Sequence, residues 1–195
     1  MRIITGKRRG LRLTEPKNYD VRPTADRVKE SLFNILGSRV QGAAVLDLFA
    51  GTGNLGLECW SRGAQTVVFV DKSPVSLKLV NRNIEKCQAQ AECQVLHKEA
   101  QAALSSLAKL AKSFNLIFCD PPYNKGLVQL VLKSPFLDPL LKPDGLLIVE
   151  HSAHDEIDTA MPEGLQVSRR QKYGETFLSF IVKNEGKIAL TSKLT

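Results

Sequence analysis

The sequence is 195 residues long, 43% hydrophobic and 24% charged, a composition that supports one folded domain with a proper core and excludes a disordered chain. It has neither an apolar run of membrane-spanning length nor a signal-peptide core after Met1, so it is expected to be cytoplasmic, with no membrane partner. The net charge of +7 is segregated: residues 1–30 hold nine basic and four acidic side chains, residues 166–195 six and two, and residues 31–165 twelve and fourteen, which points to a polyanionic partner such as nucleic acid.

In chain order, residues 2–14 read as a hairpin. Ile3 and Ile4 lead into a turn from Gly6 to Gly10, and Leu11 and Leu13 follow at alternate positions. That turn carries Lys7, Arg8 and Arg9, well placed for phosphates. A linker at 15–20 leads through Arg22-Pro23-Thr24 to a helix capped by Thr24. Its apolar stripe is Val28, Leu32, Ile35 and Leu36, and Gly37 ends it. Arg22, Arg27 and Lys29 fall outside the stripe and are expected to face solvent or a ligand.

From residue 43 strands and helices alternate. Strands are predicted at 43–50, 66–71, 92–97, 114–119 and 144–150, with helices from Gly56 to about Arg62 and over 74–88, 99–112 and about 125–133. Two further strands, 164–170 and 176–182, flank a turn at Tyr173-Gly174. Such alternation predicts an α/β, Rossmann-like fold, a mostly parallel sheet with helices on both faces and an antiparallel edge. The expected divisions are a basic hairpin-and-helix extension over 1–40, a main domain over 41–183 and a tail over 184–195.

Four cysteines, Cys59, Cys87, Cys93 and Cys119, lie 28, 6 and 26 residues apart without a C-x-x-C pair, so free, mostly buried thiols are expected. Cys119 alternates away from its neighbour Asp120 and reads as packing. His151 and His154 stand near Asp155 and Glu156, but no third ligand follows at a sensible spacing, so no metal is expected.

Gly51, Gly53 and Gly56 satisfy a G-x-G-x-x-G pattern, and Asp71 follows Gly51 by twenty residues. This is the spacing of a dinucleotide site whose acid binds ribose hydroxyls, so an NAD-dependent oxidoreductase enters the comparison. Asp47, four residues before Gly51, argues against it: a carboxylate at the mouth of the loop repels a diphosphate and suits an ammonium group. S-adenosylmethionine has an adenosine, no phosphate, and an amino-acid end with an ammonium. Asp47 also reads as a helix cap.

At the end of the fourth predicted strand stands Asp120-Pro121-Pro122-Tyr123. Two successive prolines stop the ladder and fix the exit direction. The loop presents a carboxylate that accepts N–H bonds and a ring that stacks on a planar base.

On these residues the chain resembles a class I S-adenosylmethionine-dependent methyltransferase, a Rossmann-like fold with a seven-stranded sheet. More narrowly it resembles the family that methylates the N2 amine of guanine in small-subunit 16S rRNA, at a guanine of the position-966 type. The match runs through Met1 to Leu13, Arg22-Pro23-Thr24, Arg27-Val28, Glu30 and Phe33-Asn34. It continues through Val45 to Gly53, Asp120 to Tyr123, Glu150-His151, Tyr173-Gly174 and Thr176. The resemblance implies that Asp47, Phe49, Gly51, Thr52 and Gly53 line the methionine end of the cofactor. It implies that Asp71 and Lys72 meet the ribose, and that Ala100 helps hold the adenine. Glu99 stands where relatives often carry Asp or Asn beside that ring. Asp120, Pro121, Pro122 and Tyr123 form the catalytic loop, with Asp120 and the Pro121 carbonyl accepting the two N–H bonds of the target amine. Arg8, Arg9, Arg12, Arg22 and Arg27 are the candidates for RNA binding, with Arg169, Arg170 and Lys172 secondary. The partner implied is 16S rRNA, the small ribosomal subunit or an assembly intermediate, and a monomer is expected.

Rival readings share some of these residues. An adenine-N6 DNA methyltransferase uses the same kind of loop, but this short chain leaves little room for a base-reading domain. A protein-glutamine methyltransferase fits the loop and is disfavoured by the basic ends. A non-catalytic RNA-binding partner keeps the fold, although the set Asp47, Gly51, Gly53, Asp71 and Asp120 is intact.

Overall fold

Seven strands assemble into one sheet in a computed structural model that describes residues 1–15, 26–123, 125–155 and 157–184. The proposed cap Thr24, the cation Arg22 and most of the tail lie outside the described residues. The strands are β1 (Ala44–Asp47), β2 (Thr66–Asp71), β3 (Cys93–His97), β4 (Phe114–Cys119), β5 (Leu141–Ser152), β6 (Leu165–Tyr173) and β7 (Thr176–Lys183). Their order is β3-β2-β1-β4-β5-β7-β6. Pairing is parallel from β3 through β5, and β7 runs antiparallel to both its neighbours.

Alternation along the strands divides the core. Val45, Val67, Phe69, Leu116, Phe118, Ile148 and Phe180 point to one face, where they meet α1 (Asp26–Leu36), α2 (Asn54–Ser61) and α3 (Pro74–Cys87). Leu46, Val68, Val70, Ile117, Leu147 and Ile181 point to the other, against α4 (Ala100–Lys109), α5 (Leu127–Leu132) and α6 (Leu137–Leu140). These are the seven strands and two helical layers expected of a Rossmann-like methyltransferase. All four cysteines are free, and Cys119 is buried in the second cluster, where burial holds its thiol well above the usual range.

Several boundaries differ from expectation. The first strand is four residues long and leaves the ladder after Asp47. The fifth is longer than expected because Leu141 pairs with Phe114 ahead of a register shift. The short α6 contains Pro139 and has no periodicity to announce it.

The hairpin closes through an Arg2–Arg12 bridge and the hydrogen bonds Ile3 N–H to Leu11 C=O and Leu13 N–H to Met1 C=O. Ile3 and Leu13 are buried in the same cluster as α1 and α2.

Lys29 corrects the sequence reading most sharply. It is completely buried, not available to solvent or a ligand. Its ammonium donates to the Arg2 carbonyl at 2.6 Å and to Asn54 Oδ1 at 2.8 Å, and stands 3.2 Å from Glu58 Oε2. Glu58, also fully buried, accepts from the Ile4 and Thr5 amides and from Arg62 Nε. A charge this deep is tolerable only because every partner is present. The pair fastens hairpin and first helix onto α2.

Candidate methyl-transfer site

The same alternation that builds the core sets four carboxylates side by side. Asp71, Asp47 and Glu150 sit at or near the carboxyl ends of β2, β1 and β5, each two residues beyond a side chain of the first cluster. Asp120, just past β4, continues the same count from Phe118. In strand order they run Asp71, Asp47, Asp120, Glu150. The order reverses between β1 and β4, and the crevice at such a switch point is where open α/β sheets bind ligands.

The loop from β1 to α2 forms the first half of the site. Gly51 and Gly53 adopt φ of +56° and +80°, a region that other residues enter only with strain. The Gly51 amide donates to Asp71 Oδ2 at 2.9 Å, and Asp71 Oδ1 accepts from the Ser73 amide at 2.8 Å, so one carboxylate shapes both turns. Gly56 packs directly on β2; a Cβ there would lie 2.3 Å from Phe69 Cε1. Asp47 Oδ2 accepts the Gly56 amide at 3.2 Å, in the first turn of α2. Its carboxyl is pushed up to about 7, chiefly by burial and further by Asp71, against the lowering effect of the Gly56 and Phe49 amides. Asp47 therefore caps the helix and also lines the cavity.

The second half is the loop after β4. Tyr123 is half-buried, and its hydroxyl donates to Glu150 Oε1 at 2.6 Å and lies 3.1 Å from Thr176 Oγ1. Strands β5 and β7 thus hold a ring borne on the β4 loop. Burial, and then the hydrogen bond to Glu150, raise the Tyr123 hydroxyl well above the usual range.

Both halves open into one cavity of about 1100 Å³. This exceeds what one small ligand needs and gives room for two. Asp47, Phe49, Gly51 and Thr52 line it, as do Asp71, Lys72, Glu99 and Ala100. So do Asp120, Pro121, Pro122 and Tyr123. Gly53 lies just behind the wall, against Leu57. Glu99 is exposed at the rim and pairs with Lys72 at 3.4 Å.

The arginine candidates separate. Arg27 lines the cavity. Arg8 lies elsewhere: its guanidinium donates to the Cys87 carbonyl at 2.9 Å and to Gln88, at the carboxyl end of α3. Arg9 and Arg12 are exposed and outside the cavity wall. The roles of Glu150 and Thr176 as holders of Tyr123 were not foreseen; nor was Asn83, which bonds both Thr14 and the Thr52 carbonyl and ties the hairpin to the glycine loop. Met1 was also missed; it lines the cavity, and its sulfur accepts the Thr52 hydroxyl at 3.5 Å. The His151 nitrogens face the Ser152 carbonyl and Ser179 hydroxyl, and burial lowers its pKa.

The family described as conserved hypothetical protein 95 matches residues 1–182. Ribosomal RNA small subunit methyltransferase D of Escherichia coli K12 is 34% identical over 177 residues, 90% of this chain and 86% of that protein. The chain belongs to that methyltransferase family. A candidate rRNA methyltransferase of Bacillus subtilis, YlbH, is 34% identical over 183 residues, covering 94% and 99% of the two chains. Among solved structures, the candidate methyltransferase yhhF of E. coli superposes with a TM-score of 0.82 at 29% identity, covering 95% of this chain and 99% of that one.

The cofactor of this class I family is S-adenosylmethionine, and the donor set fits it. Asp47 is a buried carboxylate whose ionised form calls for a cation, as the ammonium end provides. Asp71, at the end of the next strand, faces the same cavity with oxygens suited to a ribose diol. When bound, the group supplies an electrophilic methyl. No helix among the described residues is long and apolar enough to cross a membrane.

Proposed function

We propose that this protein methylates the exocyclic N2 amine of a guanine, of the position-966 type, in 16S rRNA of the small ribosomal subunit or an assembly intermediate. The observation that carries the reading is the Asp120–Tyr123 loop, with its aromatic ring pinned by Glu150 and Thr176, opening into the same cavity as Asp47 and Asp71. Its relative in E. coli, which bears the name of a small-subunit rRNA methyltransferase, supports RNA over DNA as substrate.

The amine of guanine is a weak nucleophile, because its lone pair is delocalised into the ring. Asp120 and the Pro121 carbonyl accept its two N–H bonds and localise the lone pair on the side facing the cofactor. Tyr123 stacks on the base and fixes its plane. Most of the acceleration is orientation. The proton becomes acidic only as the C–N bond forms, so Asp120 takes it late. A base-paired guanine cannot offer N2 in this way, so the base enters unpaired or flipped.

The test is tritium transfer from labelled S-adenosylmethionine into small subunits from cells lacking this gene and, in parallel, into DNA, followed by nucleoside chromatography. Label in N2-methylguanosine is the expected result. Label in N6-methyladenine of DNA instead would overturn it in favour of the rival with the same loop.

A further inference from the structure

The most basic stretch of the sequence is held away from the cavity. The Lys7 amide donates to the Ser61 carbonyl at 2.8 Å, and the Arg8 amide to Ser61 Oγ at 3.0 Å. Ser61 is the last residue of α2, and Cys87, which receives the Arg8 guanidinium, is the last of α3. The cavity lies at the other ends of these helices, at Asn54 and Ser76. At 1.5 Å per residue, the seven steps from Asn54 to Ser61 and the eleven from Ser76 to Cys87 put the turn about 10 to 16 Å from the site.

A second set of cations surrounds the acceptor half of the cavity. Arg27 comes from α1, Lys125 from the loop after β4, and Lys172 from the end of β6; all three are exposed and all line the wall. Ser31, one turn after Arg27, contacts the Tyr173 hydroxyl, which brings the start of α1 beside the β6–β7 turn. Among the described residues none of the three joins an ion pair, whereas Lys72 on the cofactor half is paired with Glu99. Below them the wall carries Asp120 and Glu150, which repel phosphate. A positive rim over an acidic floor admits a base and keeps its backbone outside.

Resting on the RNA reading above, we propose that Arg27, Lys125 and Lys172 grip the phosphates flanking the base that enters the cavity, and that the turn at 6–10 is a clamp on α2 and α3. Contacts of this kind release counterions, each lowering the salt slope of affinity by about 0.7 to 0.9.

The experiment measures Kd for small subunits from cells lacking this gene across a salt series. Variants are Arg27→Gln, Lys125→Gln, Lys172→Gln and their triple, with Lys86→Gln, at the clamped end of α3, and Arg9→Gln, in the clamped turn, as comparators. Each rim variant is expected to flatten the slope by about one contact, and the triple to raise Kd tenfold or more at about 0.15 M salt, with Lys86→Gln unchanged. Calorimetric binding of S-adenosylmethionine reports that each variant is folded; should Arg27→Gln fail it, the two lysines carry the test. Unchanged slopes at the rim, or a slope that falls with Arg9→Gln instead, would overturn the grip while N2 methylation stands. Methyl appearing on another RNA base with the rim pattern intact would overturn the guanine reading and leave the grip in place.

Discussion

The phenolic oxygen of Tyr123 lies 2.6 Å from Glu150 Oε1, across the junction between the β4 loop and β5. The tyrosine keeps its proton and donates it, since burial and the carboxylate both raise its pKa. The ring is therefore oriented before any base arrives, and no side-chain search precedes stacking. Tyr123→Phe keeps the ring and loses the anchor. Losing a hydrogen bond to a charged group costs about 1.5–3 kcal/mol, so kcat should fall about 10- to 100-fold with cofactor affinity unchanged. Steady-state kinetics on small subunits, with calorimetry for the cofactor, checks this. Glu150→Gln, which still accepts the hydroxyl, should lose less than Glu150→Ala; equal losses would remove the anchoring role.

Asp120 faces the acceptor half of the cavity from the end of β4. If it accepts an N–H of the target amine, Asp120→Ala removes nearly all turnover and leaves S-adenosylmethionine affinity within a few-fold. Single-turnover methyl transfer and equilibrium binding separate the two effects. A parallel loss of both would make Asp120 a structural residue.

Strand β4 and the loop after it were legible to the residue, because a strand buried on both faces is a nearly continuous apolar run, here interrupted by Asn115 alone, and two prolines mark its end. Asp47 and Asp71 were legible from their spacing to the glycines. Lys29 was not: helical periodicity counts a lysine as polar, and its partner Glu58 is brought near only by tertiary packing. The attachment of Arg8 to α3 was not legible for the same reason, since its acceptors at Cys87 and Gln88 are some 80 residues away. The Tyr123 anchor depends on β7 pairing antiparallel with β5, Glu150 opposite Leu178 and Ser152 opposite Thr176, a register no local pattern specifies.

The buried Lys29–Glu58 pair predicts a large mutational effect remote from the chemistry. Lys29→Met leaves Glu58 with Arg62 and two amides, and leaves Asn54 Oδ1 and the Arg2 carbonyl without their donor. Removing one partner of a buried pair costs about 3 kcal/mol or more. Urea unfolding should show a lower midpoint at unchanged slope. Asn54 and Met1 line the cavity, so cofactor affinity should weaken as well. A variant as stable as the parent would mean that the carboxylate is satisfied without the lysine.

Asp47 makes stability and binding respond to pH in opposite directions. Its folded pKa of about 7 lies above the ordinary 3.8, so the folded state holds its proton more tightly than the unfolded chain does. The stability this provides is complete below about pH 4 and is lost as pH rises through about 7. A cationic ligand needs the ionised form, so S-adenosylmethionine affinity should instead strengthen between pH 6 and 7.5, with proton release on binding below pH 7. Asp47→Asn removes the titration: the ligand-free variant should match the parent in Tm near pH 4 and exceed it near pH 8. Its cofactor affinity should be at least tenfold weaker and flat across the same window. Thermal unfolding over a pH series, and calorimetry in buffers of differing ionisation enthalpy, read the two effects separately. An Asn variant no more stable than the parent at pH 8 would mean that the carboxylate is ionised at no cost, and that the glycine loop has already provided the charge Asp47 would otherwise take from the cofactor.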